Sequence, residues 1–340
     1  MAFLLVVAGG SAATVVTSGS ALAAGGALTA AAAPQAAPAA PAPNGSCGMA
    51  SPGTGPYAST LCWLDMTSYN IVAAATGQQI TESLPGGYTA TFTLTVTGPR
   101  ALSAYPFPTF SQAYLGTGSY TGVPGKPALY QGLWNSGLGT SAAQNSSTIN
   151  LSNIVVTDSA GNRVTNYSLV SADAESTDYP SNVAYPESFT WTSDQPFTSL
   201  QPLGNSCGGG FTGVGTTTVT CTGGGAGSQQ RKTGNAILAT TNPSTLTAVV
   251  QASASRQGVA FGFLFESVTL NKTVVNAYGG DSFTVDVTGS NGTLQGTAST
   301  APGGASATTG PVTVIGDTAG SMVTLSETAA AANVGTYTPA

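Results

Sequence analysis

The chain has 340 residues, a net charge of −6, 6% charged residues and 41% hydrophobic residues. Seven basic residues cannot neutralise a run of phosphates, which excludes electrostatic nucleic-acid binding and polybasic attachment to a membrane. With no histidine, Ser-His-Asp, Cys-His and His-based zinc chemistry are also excluded.

Residues 1–24 read as a signal peptide. Phe3–Val7 and Ala12–Val16 are apolar, and Ala21-Leu22-Ala23 fits a small-x-small cleavage site. The basic n-region is missing, since Arg100 is the first basic residue. Glycines and serines interrupt the apolar run, leaving it short of a membrane span. Residues 25–56 are rich in Ala and Pro and read as an extended spacer. From about Tyr57 the texture of the chain changes to strand-like patterning. Tyr88, Ala90, Phe92, Leu94 and Val96 alternate with threonines, the period of a half-buried strand. Ile149–Thr157 is a second strand, turned by Asp158–Asn162 into Arg163-Val-Thr. Val259, Phe261, Phe263 and Phe265 share one face of a third. With 45 Gly and 20 Pro as punctuation, the expected fold is an all-β sandwich.

Cys47, Cys62, Cys207 and Cys221 allow three pairings. Cys47–Cys62 and Cys207–Cys221 each close a short local loop and are the expected disulfides, with free buried thiols as the alternative. Trp63 and Trp191 are expected in the core. Trp134, within the loop-like Gly132–Gly137, is expected to be exposed and available to a ligand. The Gly-rich runs Cys207–Phe211 and Thr222–Ala226 lack the Lys-Ser/Thr of a phosphate loop.

Asp173, Glu175 and Asp178 lie close together in sequence, with Glu187 and Asp194 following. Several carboxylates in one loop are what calcium takes, but the EF-type pattern is absent, so a solvated acidic loop is the main expectation and no cofactor is expected. Glu175, Glu187 and Trp191 also raise glycoside hydrolysis, which requires two carboxyls facing each other across a sugar.

Cys62-Trp-Leu-Asp65, Tyr88-Thr-Ala-Thr-Phe92, Asp173-Ala-Glu-Ser-Thr-Asp178, Phe189-Thr-Trp-Thr-Ser-Asp194 and Gly258-Val-Ala-Phe-Gly262 occur in that order. Together they resemble the non-repetitive, lectin-like domain of CshA-type fibrillar adhesins of Gram-positive bacteria, over residues 57–266. The resemblance implies a sandwich head that holds a host or partner molecule. Residues 267–340 resemble a prealbumin-like (SpaA- or CnaB-type) stalk domain, C-terminally incomplete. In that family a Lys, a catalytic Glu and a last-strand Asn form an isopeptide bond. Lys272 and Glu327 match the first two. With the chain stopping at Ala340 the Asn is absent, so the bond is not expected to be completed as in the family, and a plain strand Lys is the main expectation.

The sequence therefore predicts a non-enzymatic, secreted or wall-associated adhesin. It would bind a host or matrix glycoprotein or glycan non-covalently through Asp173, Glu175, Asp178, Asp194 and Trp134. A purely structural stalk is the alternative, and a carbohydrate-active enzyme a distant third.

Overall fold

The computed structural model describes residues 2–7, 13–17, 43–111, 113, 115–131, 141–179, 181, 184–202, 207, 208, 210–225, 236–253, 256–275, 277–318 and 321–336. Trp134 and most of the Ala/Pro spacer lie outside them. The protein is all-β, and no helix among these residues is long and apolar enough to cross a membrane.

Two sheets face each other in the head. The first runs Gly210–Thr212, Thr218–Thr222, Ser188–Ser193, Thr245–Gln251, Ser146–Thr157, Thr89–Thr97, Gln78–Ser83 and Gly45–Ser46. The Thr89–Thr97 strand behaves as its alternation predicts. Ala90, Phe92 and Leu94 are buried while Thr89, Thr91 and Thr93 are half-buried on the other face. The second sheet runs Phe197–Pro202, Ala236–Thr241, Ser168–Asp173, Gly258–Thr273, Ala128–Tyr130 and Ser103–Tyr105, with Leu61–Trp63 also paired to Gly258–Thr273.

The 16-residue strand Gly258–Thr273 organises everything around it. Its first nine residues are buried on both faces. Val259, Phe261, Phe263 and Phe265 fill the core between the sheets with Phe92, Phe189 and Trp191. Ala260 and Leu264 point the other way, into a second core built on Trp63, Leu115 and Tyr120. That second core is roofed by irregular chain: Trp63 meets Phe107 and Tyr120 edge-on at 5.4 and 5.2 Å. Gly262 lies where the paired strand comes close, and a Cβ there would sit 2.6 Å from the Cys62 carbonyl oxygen. Trp63 and Trp191 are both core residues, as expected.

Past Glu266 the burial of this strand changes to strict alternation, because it now has one core instead of two. Val268 and Leu270 join Val285, Val287, Val312, Val314, Val323 and Leu325 in a smaller sandwich. Ser306–Ile315 pairs antiparallel with this half of the strand, and Phe283–Gly289 lies between Leu294–Ser299 and Ser321–Ala329. Two N-terminal strands complete it: Ala2–Val7 against Ser321–Ala329, and Ala13–Thr17 parallel to Gly258–Thr273. The boundary between residues 266 and 267 thus falls inside one continuous strand.

A polar clamp closes the junction beside that strand. Asp158 Oδ1 accepts the backbone N–H groups of Ala160 (2.9 Å) and Asn162 (2.8 Å), and Oδ2 accepts Asn162 Nδ2 (3.0 Å). The same Oδ2 accepts Asn291 Nδ2 and Thr293 Oγ1 from the small sandwich. Ser290 Oγ donates to Asn166 Oδ1 at 2.6 Å. Gly86, at φ +73°, lets the head's backbone approach so closely that a Cβ would meet the Thr313 carbonyl oxygen at 2.8 Å.

Both expected disulfides are present, Cys47–Cys62 and Cys207–Cys221. The first pins residues 44–48 along the edge strand Gln78–Ser83, where Asn44 and Cys47 donate to the Thr81 and Ser83 carbonyls. The second ties Gly210–Thr212 to Thr218–Thr222. Replacing Cys207 and Cys221 together by alanine is expected to cost about 3 kcal/mol of stability in chemical denaturation. An unchanged midpoint would show that the loop is held by its strand pairing alone.

Candidate functional site

The end of the head opposite the junction gathers loops from both sheets. They are residues 98–111, 113, 131, 141–145, 174–179, 184–187, 223–225, 252, 253, 256 and 257. Gln131 and Gln257 cross-brace them. Gln131 Nε2 donates to Ser147 Oγ (2.9 Å), the Val250 carbonyl (3.2 Å) and the Asn145 carbonyl (3.3 Å). The Gln131 N–H donates to the Gln257 carbonyl at 2.8 Å, and Gln257 Nε2 donates to the Ser176 carbonyl at 3.3 Å. Ser147 Oγ reaches the Arg100 carbonyl at 2.8 Å, and Gln251 Nε2 the Pro186 carbonyl at 2.8 Å. Side-chain hydrogen bonds to backbone carbonyls of this kind fix the loops relative to one another.

The acidic segment 173–178 runs beneath these loops and is buried. Asp173 Oδ1 accepts the Glu175 N–H (2.9 Å) and Oδ2 accepts Thr177 Oγ1 (2.8 Å). Glu187 Oε2 accepts the Asp178 N–H (2.8 Å) and Oε1 accepts Ser253 Oγ (3.2 Å). Glu175, 5% exposed, lies near Tyr130, Thr109 and Arg256, and Thr109 Oγ1 donates to the neighbouring Ala174 carbonyl at 3.2 Å. Asp173, Glu175, Asp178 and Glu187 therefore form an internal network rather than a solvated acidic loop. Glu175 and Glu187 are each enclosed and engaged, and neither presents an open face on which a sugar could be cleaved. Among the described residues, no three acidic or cysteine side chains gather as metal ligands.

Asp194 is not part of this group. It follows the strand Ser188–Ser193, whereas Glu187 precedes it, so the two lie roughly 20 Å apart along the strand. Asp194 instead caps a turn, accepting Ser244 Oγ (2.7 Å) and the Ser244 and Thr245 N–H groups. Those hydrogen bonds hold its carboxyl below the usual range.

Three residues that sequence reasoning missed complete the loop end. Tyr105 stacks on Tyr130 with ring centroids 5.1 Å apart and planes 27° apart. Arg256 lies near Tyr130, Glu175 and Tyr105, and these neighbours raise its pKa. Tyr105 is 39% exposed, and no other aromatic side chain described in the head is as exposed. Tyr105 and Tyr130 come from two short strands and Arg256 from the segment before Gly258–Thr273, so no local motif announces them.

A family model described as "Surface adhesin CshA non-repetitive domain 2" matches residues 59–265. The chain belongs to this family of surface adhesins. An adhesin domain implies binding rather than turnover, in keeping with the enclosed carboxylates. No curated protein matches the chain. Among solved structures, the N-terminal domain of the Streptococcus gordonii adhesin Sgo0707 is similar at 8% identity and a TM-score of 0.29, covering 84% of this chain and 81% of that one.

In the small sandwich, Lys272 is 2% exposed, with Nζ 2.9 Å from Glu327 Oε1 and 5.1 Å from the centroid of Phe283. Two residues 55 positions apart in sequence are thus brought into contact, at the far end of the strand that begins beside Arg256.

Burial raises Asp173 to about 7, Glu175 to about 8 and Glu82 to about 8. These carboxyls hold their protons in the folded state well above the pH at which the unfolded chain releases them. Stability is therefore expected to fall as pH rises from about 4 to about 8, and then to level off. A melting-temperature series should decline over that window, less so for Glu175→Gln. A profile that is flat or rising in wild type would contradict the buried network.

Proposed function

We propose that this chain is a secreted or cell-wall-associated, fibrillar-adhesin-like protein that binds a host or matrix glycoprotein or glycan non-covalently. The observation that carries this reading is the braced loop end. It presents an exposed aromatic ring and a guanidinium at the pole of the head opposite the junction. Asp173, Glu175 and Asp178 act from below, by fixing the loops and tuning Arg256 and Tyr130, rather than by touching the ligand. Trp134, a candidate contact from the sequence, lies outside the described residues. Asp194 serves the fold.

Residues 1–24 act as the export leader, in keeping with two disulfides that need an oxidising compartment; its removal would take the strands Ala2–Val7 and Ala13–Thr17 with it and leave Ser321–Ala329 and the second half of Gly258–Thr273 without those partners. The small sandwich is a prealbumin-like stalk unit. Its buried Lys272–Glu327 contact supports the Lys and Glu of an isopeptide arrangement, whose chemistry would reinforce the protein itself and turn over no substrate.

The competing reading is a spacer without a ligand. Full-length protein applied to a film of extracellular-matrix glycoproteins should bind saturably, and unlabelled protein should compete. Binding that is linear, or equal to that of an unrelated all-β protein, would favour the spacer.

A further inference from the structure

We propose that removal of residues 1–24 opens a two-edged slot along the small sandwich, and that a second copy of this chain pairs into it, antiparallel and edge to edge. The proposal rests on the leader reading and concerns a surface away from the loop end.

The two sheets of the small sandwich meet closely on one side. There Gly296 packs so tightly on Val312 that a Cβ would come within 2.4 Å of its side chain. The leader strands line the other side. Ala2–Val7 extends one sheet against residues 321–326, and Ala13–Thr17 extends the other against residues 268–272. Lys272 and Glu327, one from each of these two edges, touch at 2.9 Å, so the edges lie next to each other. Among the described residues no other strand reaches either edge. Cutting the leader away therefore bares two adjacent rows of backbone N–H and C=O groups, a template for further strands. It also uncovers the flank of a core that holds Val268, Leu270, Val323 and Leu325, all buried while the leader is in place. Apolar surface left in water is costly, which favours a new cover.

Three features select a second copy as that cover. The slot asks for an edge in each sheet at once, which one extended peptide does not supply and a second small sandwich does. Neither vacated edge carries the devices that keep sheet edges apart. Ser321-Met-Val-Thr-Leu-Ser326 and Val268-Thr-Leu-Asn271 hold no charge and no proline, and Lys272 is turned inward against Glu327. Self-pairing also keeps the pleat in phase. Residues directly opposite each other in an antiparallel pair share a face. Centred on Thr324, the pairing sets Val323 opposite the second copy's Leu325 on the core side and Thr324 opposite itself on the outer side. The two small cores then run on into one another. The copies point in opposite directions, which places their loop ends at the two ends of the dimer, able to engage two surfaces at once.

Analytical ultracentrifugation of the exported chain tests this, with N-terminal sequencing to establish the cut. The processed chain is expected to sediment as a concentration-dependent dimer, and the unprocessed chain, whose slot is filled, as a monomer. In the processed chain Thr324→Lys and Thr324→Glu should each weaken the dimer about tenfold or more, because like charges then meet across the pair. An equimolar mixture of the two variants should recover it, which also shows that both are folded. A processed chain that stays monomeric at every concentration overturns the dimer and leaves the leader reading standing. A dimer indifferent to both substitutions, or weakening without recovery in the mixture, overturns the pairing in the same way. An exported protein that still carries residues 2–17 overturns the leader reading and the proposal together.

Discussion

The structure depends on one strand being shared by two cores. Gly258–Thr273 is about 50 Å of continuous chain. Its first half is flanked by Ser168–Asp173 on one side and by Leu61–Trp63 and Ala128–Tyr130 on the other. Its second half is held by Ser306–Ile315 and Ala13–Thr17. Between the two halves there is no linker to bend. The clamp at Asp158, which gathers donors from its own turn and from Asn291 and Thr293, fixes the same junction laterally. The two sandwiches are therefore coupled by covalent backbone and by part-buried hydrogen bonds. Load applied to one enters the other along a hydrogen-bonded ladder.

That strand also connects the two chemically distinctive places in the molecule. It starts next to Arg256 and Gln257, whose contacts brace the loop end, and it runs to Lys272, buried against Glu327 and Phe283. The loop end proposed to meet a ligand and the buried Lys272–Glu327 pair are thus mounted on a single element. The loop end is fixed in a different way, by side-chain hydrogen bonds to carbonyls. Gln131 alone reaches three acceptors from the loops and strands around it. Loops held like this keep a binding surface in shape without needing a helix or a metal behind it.

Much of the fold was legible in the sequence. The alternation in Thr89–Thr97 and along Val259–Phe265 comes straight from the period of a pleated strand, and the close spacing within each cysteine pair pointed to both disulfides. What escaped was anything assembled across loops. Asp173, Glu175 and Asp178 read as solvated because charged residues separated by one or two positions normally are. Glu175 is enclosed beside Tyr130 and Arg256, 45 and 81 positions away in sequence. Tyr105 and Tyr130 sit on three-residue strands, too short for any periodicity to show. Asp158 was recognisable as a turn residue, and its second role across the junction needs partners more than 130 positions further on. The double burial of Gly258–Glu266 was likewise invisible to a reading that assigned Val259, Phe261, Phe263 and Phe265 a single buried face.

The central claim is that the head meets its ligand at the pole opposite the junction. Hydrogen–deuterium exchange on the full chain, with and without a soluble matrix glycoprotein that it binds, tests this directly. The account predicts slowed exchange in residues 98–113, 174–187 and 252–257, with residues 158–162 and 290–295 unchanged. Protection confined to the junction or to the small sandwich would contradict it.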